Sequence, residues 1–498
     1  MKADIFIGID MGSSSLKAVA FESSSAAAIA AAGSALPHVR RADGACELSE
    51  SAIRVALVSA LRGVTDQLGP RVAQVRAIGC TGHGAGLYAL GASGQLLRGF
   101  GVASTDQRAA RRAAALARAQ GDTLFDEVGC RPWAGQPLPL LAELLAHGEL
   151  QPSDIRHLLF AKDYLAYLLT GHIATDASDA STAGLLALAT GGWSQTALQA
   201  SGVAELVSRA LPPLLPSGSV IGSLHPLQAT DCGLPAGLPV AMVAIDLLAS
   251  LTAVGAQQSG MPVAVLGTWC VNVVMAPRQH PKPAVAAIVD PRLGSASEEW
   301  LYMENSPSSM ANMAWLARQF GWPSAAAVVD AAMASPLGAQ GLRFAPFING
   351  GGPFAGVEAA FLGLSHHHGR TEMARAVVDA VMALHAYHLR RLASLGLGSP
   401  GRVAVLGGGA RDHRLVQLLA TMLGHPVQRC GDDETGARGA ALWAARSQGL
   451  PAEMLQAPAD VVEPDTPSIA AHQAYCAGFE RQMRGLADAF ASQNEVRA

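Results

Sequence analysis

Two passages of this chain share one design. In "IFIGIDMGSSSLKAVAFE", Ile5 to Glu22, an apolar run meets an acid, a glycine and three serines, then returns to apolar residues. In "MPVAVLGTWCVNVVM", Met261 to Met275, an apolar run meets Gly267 and Thr268 and again resumes. Each reads as two strands joined by a tight turn. A repeated hairpin so far along one chain predicts two lobes of related architecture. The 498 residues, half of them hydrophobic, are enough for two cores.

Between and after these hairpins, strands alternate with helices, the pattern of an α/β protein. Val75 to Gly79 reads as a strand, as do Leu87 to Leu90 and Gln95 to Phe100 around the turn "GASG". Arg108 to Gln120 reads as a helix, and Asp163 to Thr170 as one stopped by Gly171. Val403 to Leu406 is a strand, Gly407 to Gly409 a glycine cluster, and an amphipathic helix follows with Leu415, Leu418, Leu419 and Met422 as its apolar stripe. In "DDETGARGAALWAARSQG", Gly436 and Gly439 let an alanine-rich helix pack closely.

Several classes are excluded. The apolar stretch Gly237 to Ala256 carries Asp246 near its middle and Pro239 near its start, so it reads as buried core rather than a membrane span. The N-terminus lacks the pattern of a signal peptide. A formal net charge of −4 with no basic face argues against nucleic acid. The seven cysteines are scattered without a C-x-x-C pair, which predicts reduced thiols, a cytoplasmic protein and no zinc site.

The chemistry sits at the turns. A turn of Gly12, Ser13 and Ser14 offers backbone N–H groups and hydroxyls to an anion. Lys17 adds a cation, and Asp10 would serve beside a phosphate only with a divalent ion between them. The stretch is equally readable as an ordinary hairpin with a capping Asp. Gly267–Thr268 and Gly407–Gly409 are two further backbone approaches of the same kind. There is no G-x-x-x-x-G-K-[ST] and no protein-kinase set. The "GHGAG" at Gly82 to Gly86 is followed by strand rather than helix, unlike a dinucleotide fingerprint. Asp246, alone in an apolar segment, fits a helix cap, a paired core acid or a general base. His366 to His368 read as an exposed loop, and His385 with His388 as structural.

The ordered set "IGIDMGSSSLKAVAFE", "STDQR" (Ser104 to Arg108), "KDYLAYLLTG", "TDASDAS", "AIDLLASLTAVGA", "LGTW", "GGGARDHRLVQLLATMLG" and "ETGARGAAL" resembles the FGGY family of carbohydrate kinases, within the actin and hexokinase superfamily. The resemblance runs nearly end to end. It implies two ribonuclease-H-like lobes around a deep cleft, with residues 1–247 as the sugar-binding lobe carrying the first phosphate turn and 248–498 as the nucleotide-binding lobe. It implies transfer of the γ-phosphate of ATP, with Mg²⁺, to a hydroxyl of a sugar or polyol. By the same resemblance Asp246 is the general base. Asp10 helps hold the Mg²⁺ shell, and so does Asp246, through water. Gly12, Ser13, Ser14, Ser15 and Lys17 match the first phosphate turn, and Gly267 and Thr268 the second. Gly408, Gly409 and Ala410 match the adenosine side, with Asp412 or His413 nearby. His83, Gly84, Asp106, Arg108 and Trp133 fall where the family's sugar contacts cluster.

The substrate is where the pattern departs. D-xylulose kinases place Met-His where this chain has Gly84–Ala85, and Asn where it has Leu247; glycerol kinases place Arg-Glu at the first of these sites. "GQPLPLLAEL", "IDLLAS", "GTWCVN" and "NSPSSMANMAWL" resemble the L-xylulose kinase branch. The expectation is a pentulose, L-xylulose first, then D-xylulose or a polyol such as erythritol or ribitol. A non-catalytic sugar-binding regulator on the same fold would have lost the base or a phosphate turn, and this chain keeps both. A chaperone or filament module would carry an appended segment, and the tail from Pro451 is ordinary. No nucleic-acid or membrane partner is expected, and a homodimer is among the open options for assembly.

Overall fold

The computed structural model describes residues 4–497 apart from 257–259, 293–297, 351, 355, 399–400, 433 and 452–454, and of 491–497 only the backbone. Asp433, in the predicted glycine-bearing helix stretch, is among those outside the described residues. The chain divides into two compact units. One comprises 1–255, 287–300 and 434–457, the other 256–286, 301–433 and 458–498.

In the first unit, β1 (Ile5–Met11), β2 (Ser15–Glu22) and β3 (Ala28–Ala35) form an antiparallel meander. Helix α1 (Glu50–Leu68) follows, and β4 (Val75–Gly82) then pairs parallel to β1. After a long excursion, β5 (Val220–Ser223) and β6 (Pro239–Met242) complete the sheet in the order β5–β6–β4–β1–β2–β3. Three antiparallel strands followed by two parallel ones is the ribonuclease-H-like arrangement that the resemblance implies. Within the excursion lie α2 (Ala161–Thr170) and α3 (Ala177–Thr182). Leaving β6, the chain enters α4 (Asp246–Ala253).

In the second unit the hairpin of β7 (Pro262–Leu266) and β8 (Cys270–Pro277) is joined by β9 (Glu299–Ser306). Helix α5 (Arg370–Ser394) runs through the core, followed by β10 (Val403–Leu406), α6 (His413–Leu423) and β11 (Val427–Cys430). With β12 (Ala459–Val462) the order is β9–β8–β7–β10–β11–β12, and β10 and β11 are parallel to β7 and to each other respectively. In both units an antiparallel hairpin has a parallel strand beside its first strand, as the echoed hairpins predict. Leu415, Leu418, Leu419 and Met422 are buried, as the stripe on α6 requires.

Strand alternation explains how β1 serves two layers. Ile5, Ile7 and Ile9 point to the α1 side, into a cluster with Ile53, Leu57 and Leu61. Phe6 faces the other way, toward Ala437, Ala441 and Leu442 of α7 (Thr435–Ser447). Gly8 follows Phe6 on that face, and a Cβ there would overlap the Ala437 carbonyl. Gly79 of β4 is pressed against the Ala440 carbonyl in the same way. Two glycines on the sheet therefore let α7 lie directly on its backbone.

One expected strand is absent. Gln95 to Phe100 does not run as a strand, because Leu97–Gly99 form a 3₁₀ turn with Arg98 at φ 60° and Gly99 at φ 72°. The Arg98 guanidinium is tied to Glu47 at 2.9 Å and Glu149 at 2.9 Å, which holds the turn, and only Phe100–Val102 continue as strand. The expected helix at Arg108 to Gln120 is observed as Ala110–Val128. Among the described residues no helix is long and apolar enough to cross a membrane, and all seven cysteines are buried and outside any disulfide.

Candidate active site

Asp10 is the next residue after Phe6 and Gly8 on the α7 face of β1, and it lies opposite Lys17 in the hairpin register. The helix beginning at Thr435 meets it there: a Cβ on Gly436 would run into the Asp10 carboxylate. Glu434, just before that helix, takes Lys17 Nζ at 2.9 Å. Lys17, expected to face phosphate, is thus engaged with a carboxylate; the pair is partly exposed and worth about 0–1 kcal/mol. Asp10 Oδ1 is buried and takes no hydrogen bond from the protein. Burial, then the negative charges of Asp246 and Glu434, against Lys17, push the Asp10 carboxyl up to about 7. An acid so placed, with two further carboxylates in electrostatic reach, suits a divalent cation. Among the described residues no group of three His, Cys, Asp or Glu side chains is arranged to hold a metal by itself.

The turn between β1 and β2 leaves Ser13 and Ser14 exposed and Gly12 and Ser15 half-buried. At Gly12 φ is not positive, and a Cβ would meet only the Ser15 carbonyl, at 3.4 Å. What glycine provides here is open space beside the backbone, not a special conformation.

Asp246 is the first residue of α4, where a carboxylate is favoured by the helix dipole. Its Oδ1 accepts the Leu247 N–H at 2.7 Å, while burial raises its pKa. The strand end leading to it is fixed to β4: Val243 N–H donates to the Cys80 carbonyl at 3.0 Å, and Thr81 Oγ1 to the Ala244 carbonyl at 2.6 Å.

The predicted sugar residues come together in the same unit. The His83 N–H donates to the Met11 carbonyl at 3.0 Å, joining the 83–86 loop to the end of β1. The His83 ring is buried with neither nitrogen hydrogen-bonded to the protein, and that burial lowers its pKa. A Cβ on Gly84 would meet Thr182 at 2.8 Å and Ile245 at 3.3 Å, so this glycine lets the loop close onto the segment before Asp246. Gly86 N–H donates to the Gly135 carbonyl at 3.2 Å, and Gly135 is pressed between Trp133 and the Ser104 carbonyl. Asp106 and Arg108 are bound to each other: Arg108 Nη2 lies 2.9 Å from Asp106 Oδ2 and 2.9 Å from Glu47. Asp106 Oδ2 also accepts the Cys46 N–H at 2.8 Å. The two side chains are buried, with their polar atoms already partnered.

In the second unit, Gly267 and Thr268 form the turn between β7 and β8. Their carbonyls accept the N–H groups of Met310 at 3.0 Å and Ser309 at 2.9 Å. Gly407 has φ +93°, and a Cβ would touch the Leu266 carbonyl at 3.0 Å; Gly409 is closed off by Leu266 and by Met310 Sδ at 3.0 Å. Beside Gly408 there is no atom within 4 Å, so its backbone faces open space. Ala410 is buried, and His413, first residue of α6, is exposed. Asp412 caps that helix by accepting the Arg414 N–H at 3.0 Å and pairs with the Arg414 guanidinium, which leaves His413 as the freer polar group.

Sequence reasoning quoted but did not interpret one group. Lys162, Asp163, Asp176 and Asp179 are all fully buried, with Lys162 Nζ at 2.5, 2.9 and 3.7 Å from the three carboxylates. The signal was partial: a Lys-Asp pair at a helix start in an apolar run, and two further acids in the polar "TDASDAS". His385 and His388 on α5 are buried and hydrogen-bonded, the first to Ser309 and Asn272, the second to Ser306 and Glu304. His366 to His368 lie in a loop before α5, His366 and His367 exposed.

Two ribonuclease-H-like units make this an α/β protein of the actin and hexokinase type. The chain belongs to the FGGY family of carbohydrate kinases: the family's N-terminal domain matches residues 5–255 and its C-terminal domain residues 263–448. It is therefore a carbohydrate kinase, of a family that uses ATP as phosphate donor. It is 26% identical over 437 residues to the L-xylulose/3-keto-L-gulonate kinase of Escherichia coli K12, covering 86% of each chain. It is 28% identical over 444 residues to the xylulose kinase of the same organism, covering 88% of this chain and 89% of that one. Among solved structures, a ligand-bound xylulose kinase from Lactobacillus acidophilus superposes with a TM-score of 0.86 at 21% identity, covering 98% of this chain and 99% of that one. A Plasmodium falciparum glycerol kinase with ADP superposes with a TM-score of 0.81 at 13% identity, covering 96% and 98%.

Proposed function

We propose that the protein transfers the γ-phosphate of ATP to a hydroxyl of a pentulose, with L-xylulose the first candidate. In this reading Asp246 is the general base. The sugar hydroxyl attacks the γ-phosphorus, Asp246 takes its proton, and the bond to the β–γ bridging oxygen breaks to release ADP. The observation that carries the reading is Asp246 at the start of α4, in electrostatic reach of Asp10 and one contact from the 83–86 loop through Ile245. A hydroxyl is a poor nucleophile at neutral pH, and a carboxylate beside the sugar loop answers that need.

Asp10 is the residue best suited to the shell of a Mg²⁺ ion, because its buried Oδ1 has no protein donor. When bound with ATP, Mg²⁺ neutralises charge on the β- and γ-phosphate oxygens. Gly12 to Ser15 offer an open turn for phosphate, and Gly267–Thr268 and Gly408 offer further nucleotide contacts. His83, Gly84 and Trp133 line the sugar side, with Asp106 and Arg108 close in sequence to Ser104, whose carbonyl presses with Trp133 on Gly135.

The pentulose assignment is supported by the relatives whose names are L-xylulose and xylulose kinases. Polyols such as erythritol or ribitol are the second reading, favoured by Gly84–Ala85 in place of larger side chains. ADP release measured across L-xylulose, D-xylulose, other ketoses and polyols tests the reading. A kcat/KM at least tenfold higher for L-xylulose than for any polyol supports it. A polyol turned over better than every pentulose overturns the substrate assignment.

A further inference from the structure

The most costly group of side chains in the first unit lies outside the acids assigned to transfer. Burying three carboxylates around one ammonium carries a large desolvation penalty, and removing one member leaves uncompensated charge. Such a cluster makes physical sense where it holds backbone that would otherwise move. Asp176 caps α3, taking the N–H groups of Ser178 and Asp179, each at 3.3 Å. Its Oδ2 also accepts Ser178 Oγ at 2.7 Å and the hydroxyl of Ser217. These bonds fix the two residues that follow, and both point at the site. Asp179 Oδ1 accepts the N–H of Ala85, 94 residues away in the chain, at 2.9 Å. Ser178 Oγ accepts the N–H of Ile245, 67 residues away, at 3.1 Å. Thr182, one turn on, fills the space beside Gly84.

Ala85 needs this hold. Its φ is +60°, a left-handed conformation that an alanine adopts at a cost of about 1–2 kcal/mol. Without an acceptor for its N–H the loop has reason to relax. Ile245, for its part, sets where the next residue, Asp246, enters α4.

We propose that α3 is a positioning element for phosphate transfer. Asp179 sets the sugar loop at Ala85, Ser178 sets the entry to Asp246, and Lys162 is the buried counter-charge that keeps both in place. This rests on the reading that the 83–86 loop contacts sugar and that Asp246 is the base. The split of roles follows from the two bonds: loss of the Asp179 acceptor disturbs sugar binding, and loss of the Ser178 acceptor disturbs the proton-transfer step.

The test is steady-state kinetics on the full chain for Asp179→Ala, Asp179→Asn and Ser178→Ala, with Asp246→Asn beside them. A buried N–H left without a partner costs about 1–3 kcal/mol, a factor of roughly 5–150. Asp179→Ala is expected to lower kcat/KM for the sugar at least tenfold, mainly through KM, with the KM for MgATP within about twofold of wild type. Asp179→Asn keeps an oxygen to accept the Ala85 N–H and is expected to recover to within about threefold. Ser178→Ala is expected to lower kcat about tenfold with sugar KM within about twofold. Should Asp179→Ala fail to fold, the other two variants decide. Asp179→Asn as impaired as a misfolded or inactive chain, or Ser178→Ala with wild-type kcat, overturns the proposal when Asp246→Asn is inactive. If Asp246→Asn is itself as active as wild type, the underlying reading of the site has failed instead, and the two failures are told apart by that one control.

Discussion

Helix α7 carries two glycines that the same substitution should affect in opposite ways. In an ordinary helix interior, Gly→Ala stabilises by about 0.5–1 kcal/mol. Neither Gly439, inside α7, nor Gly436, in its first turn, has a positive φ, so alanine's smaller backbone freedom in the unfolded chain favours the substitution at both. What differs is the neighbour. At Gly439 the new Cβ would overlap the carbonyl carbon and oxygen of Ala249, in the backbone of α4. Backbone cannot step aside without moving the helix that begins at Asp246, and overpacking of this kind costs about 1–3 kcal/mol. The expected net loss for Gly439→Ala is about 1–2 kcal/mol. At Gly436 the Cβ would meet the Asp10 carboxylate, the far end of a side chain. Asp10 can rotate away at about 1 kcal/mol, which the gain from alanine offsets. Gly436→Ala should therefore melt with wild-type stability while Asp10 is displaced, and a misplaced group of this kind costs about 100-fold in rate. Urea unfolding followed by circular dichroism gives the stabilities, and a coupled ADP-release assay gives kcat. Wild-type turnover by Gly436→Ala would refute the role of Asp10, and wild-type stability of Gly439→Ala would refute the packing argument.

Three further outcomes are expected. Gly12→Val should fold normally, since nothing closer than the Ser15 carbonyl bounds that space, but it should lose MgATP affinity at least tenfold by calorimetry; unchanged affinity would contradict a phosphate site there. Burial first, then the neighbouring His388, lowers His385 to about 3. The unfolded chain thus takes up this proton first, and stability should fall as pH drops from the usual imidazole range toward 3, by about 1.4 kcal/mol per pH unit for this group. In urea titrations between pH 7 and 4, His385→Gln should show a shallower loss than wild type; parallel curves would contradict the assignment. Ala85→Gly should relieve the left-handed strain and raise stability by up to about 1 kcal/mol, while an unchanged or lowered unfolding midpoint would show that the loop is not strained.

The fold was legible wherever a local signal coincided with its tertiary cause. The echoed hairpins could be read because apolar runs broken by glycine and hydroxyls have few other interpretations, and both occur as β1–β2 and β7–β8. Gly436 and Gly439 could be read because glycines in an alanine-rich helix signal close approach. The strand at Gln95 to Phe100 was misread because the turn is held by Glu47 and Glu149, which are distant in sequence. Of the site, Asp10 and Asp246 stood out as charges in apolar runs. The partners that tune them did not: Glu434 looks like ordinary helix-start polarity until its contact with Lys17 is seen. Nor did the Lys162 cluster, because its acids come from two separate elements and resemble a solvated loop. Asp106 and Arg108, two residues apart, gave no sign that they bind each other and Glu47.

The central claim is that Asp246 takes the proton from the sugar hydroxyl, and Asp246→Asn tests it most directly. The amide keeps the size of the side chain and its hydrogen-bonding polarity but accepts no proton. The measurement is the single-turnover rate of phosphate transfer from ATP to the preferred sugar, beside a nucleotide titration on the same preparation. Loss of a general base costs about 10²- to 10⁴-fold, or roughly 3–5 kcal/mol of barrier. The account predicts a fall in that range with MgATP affinity close to wild type, because the phosphate turns are untouched. Transfer within about fivefold of wild type, by a variant that binds nucleotide normally, would contradict it.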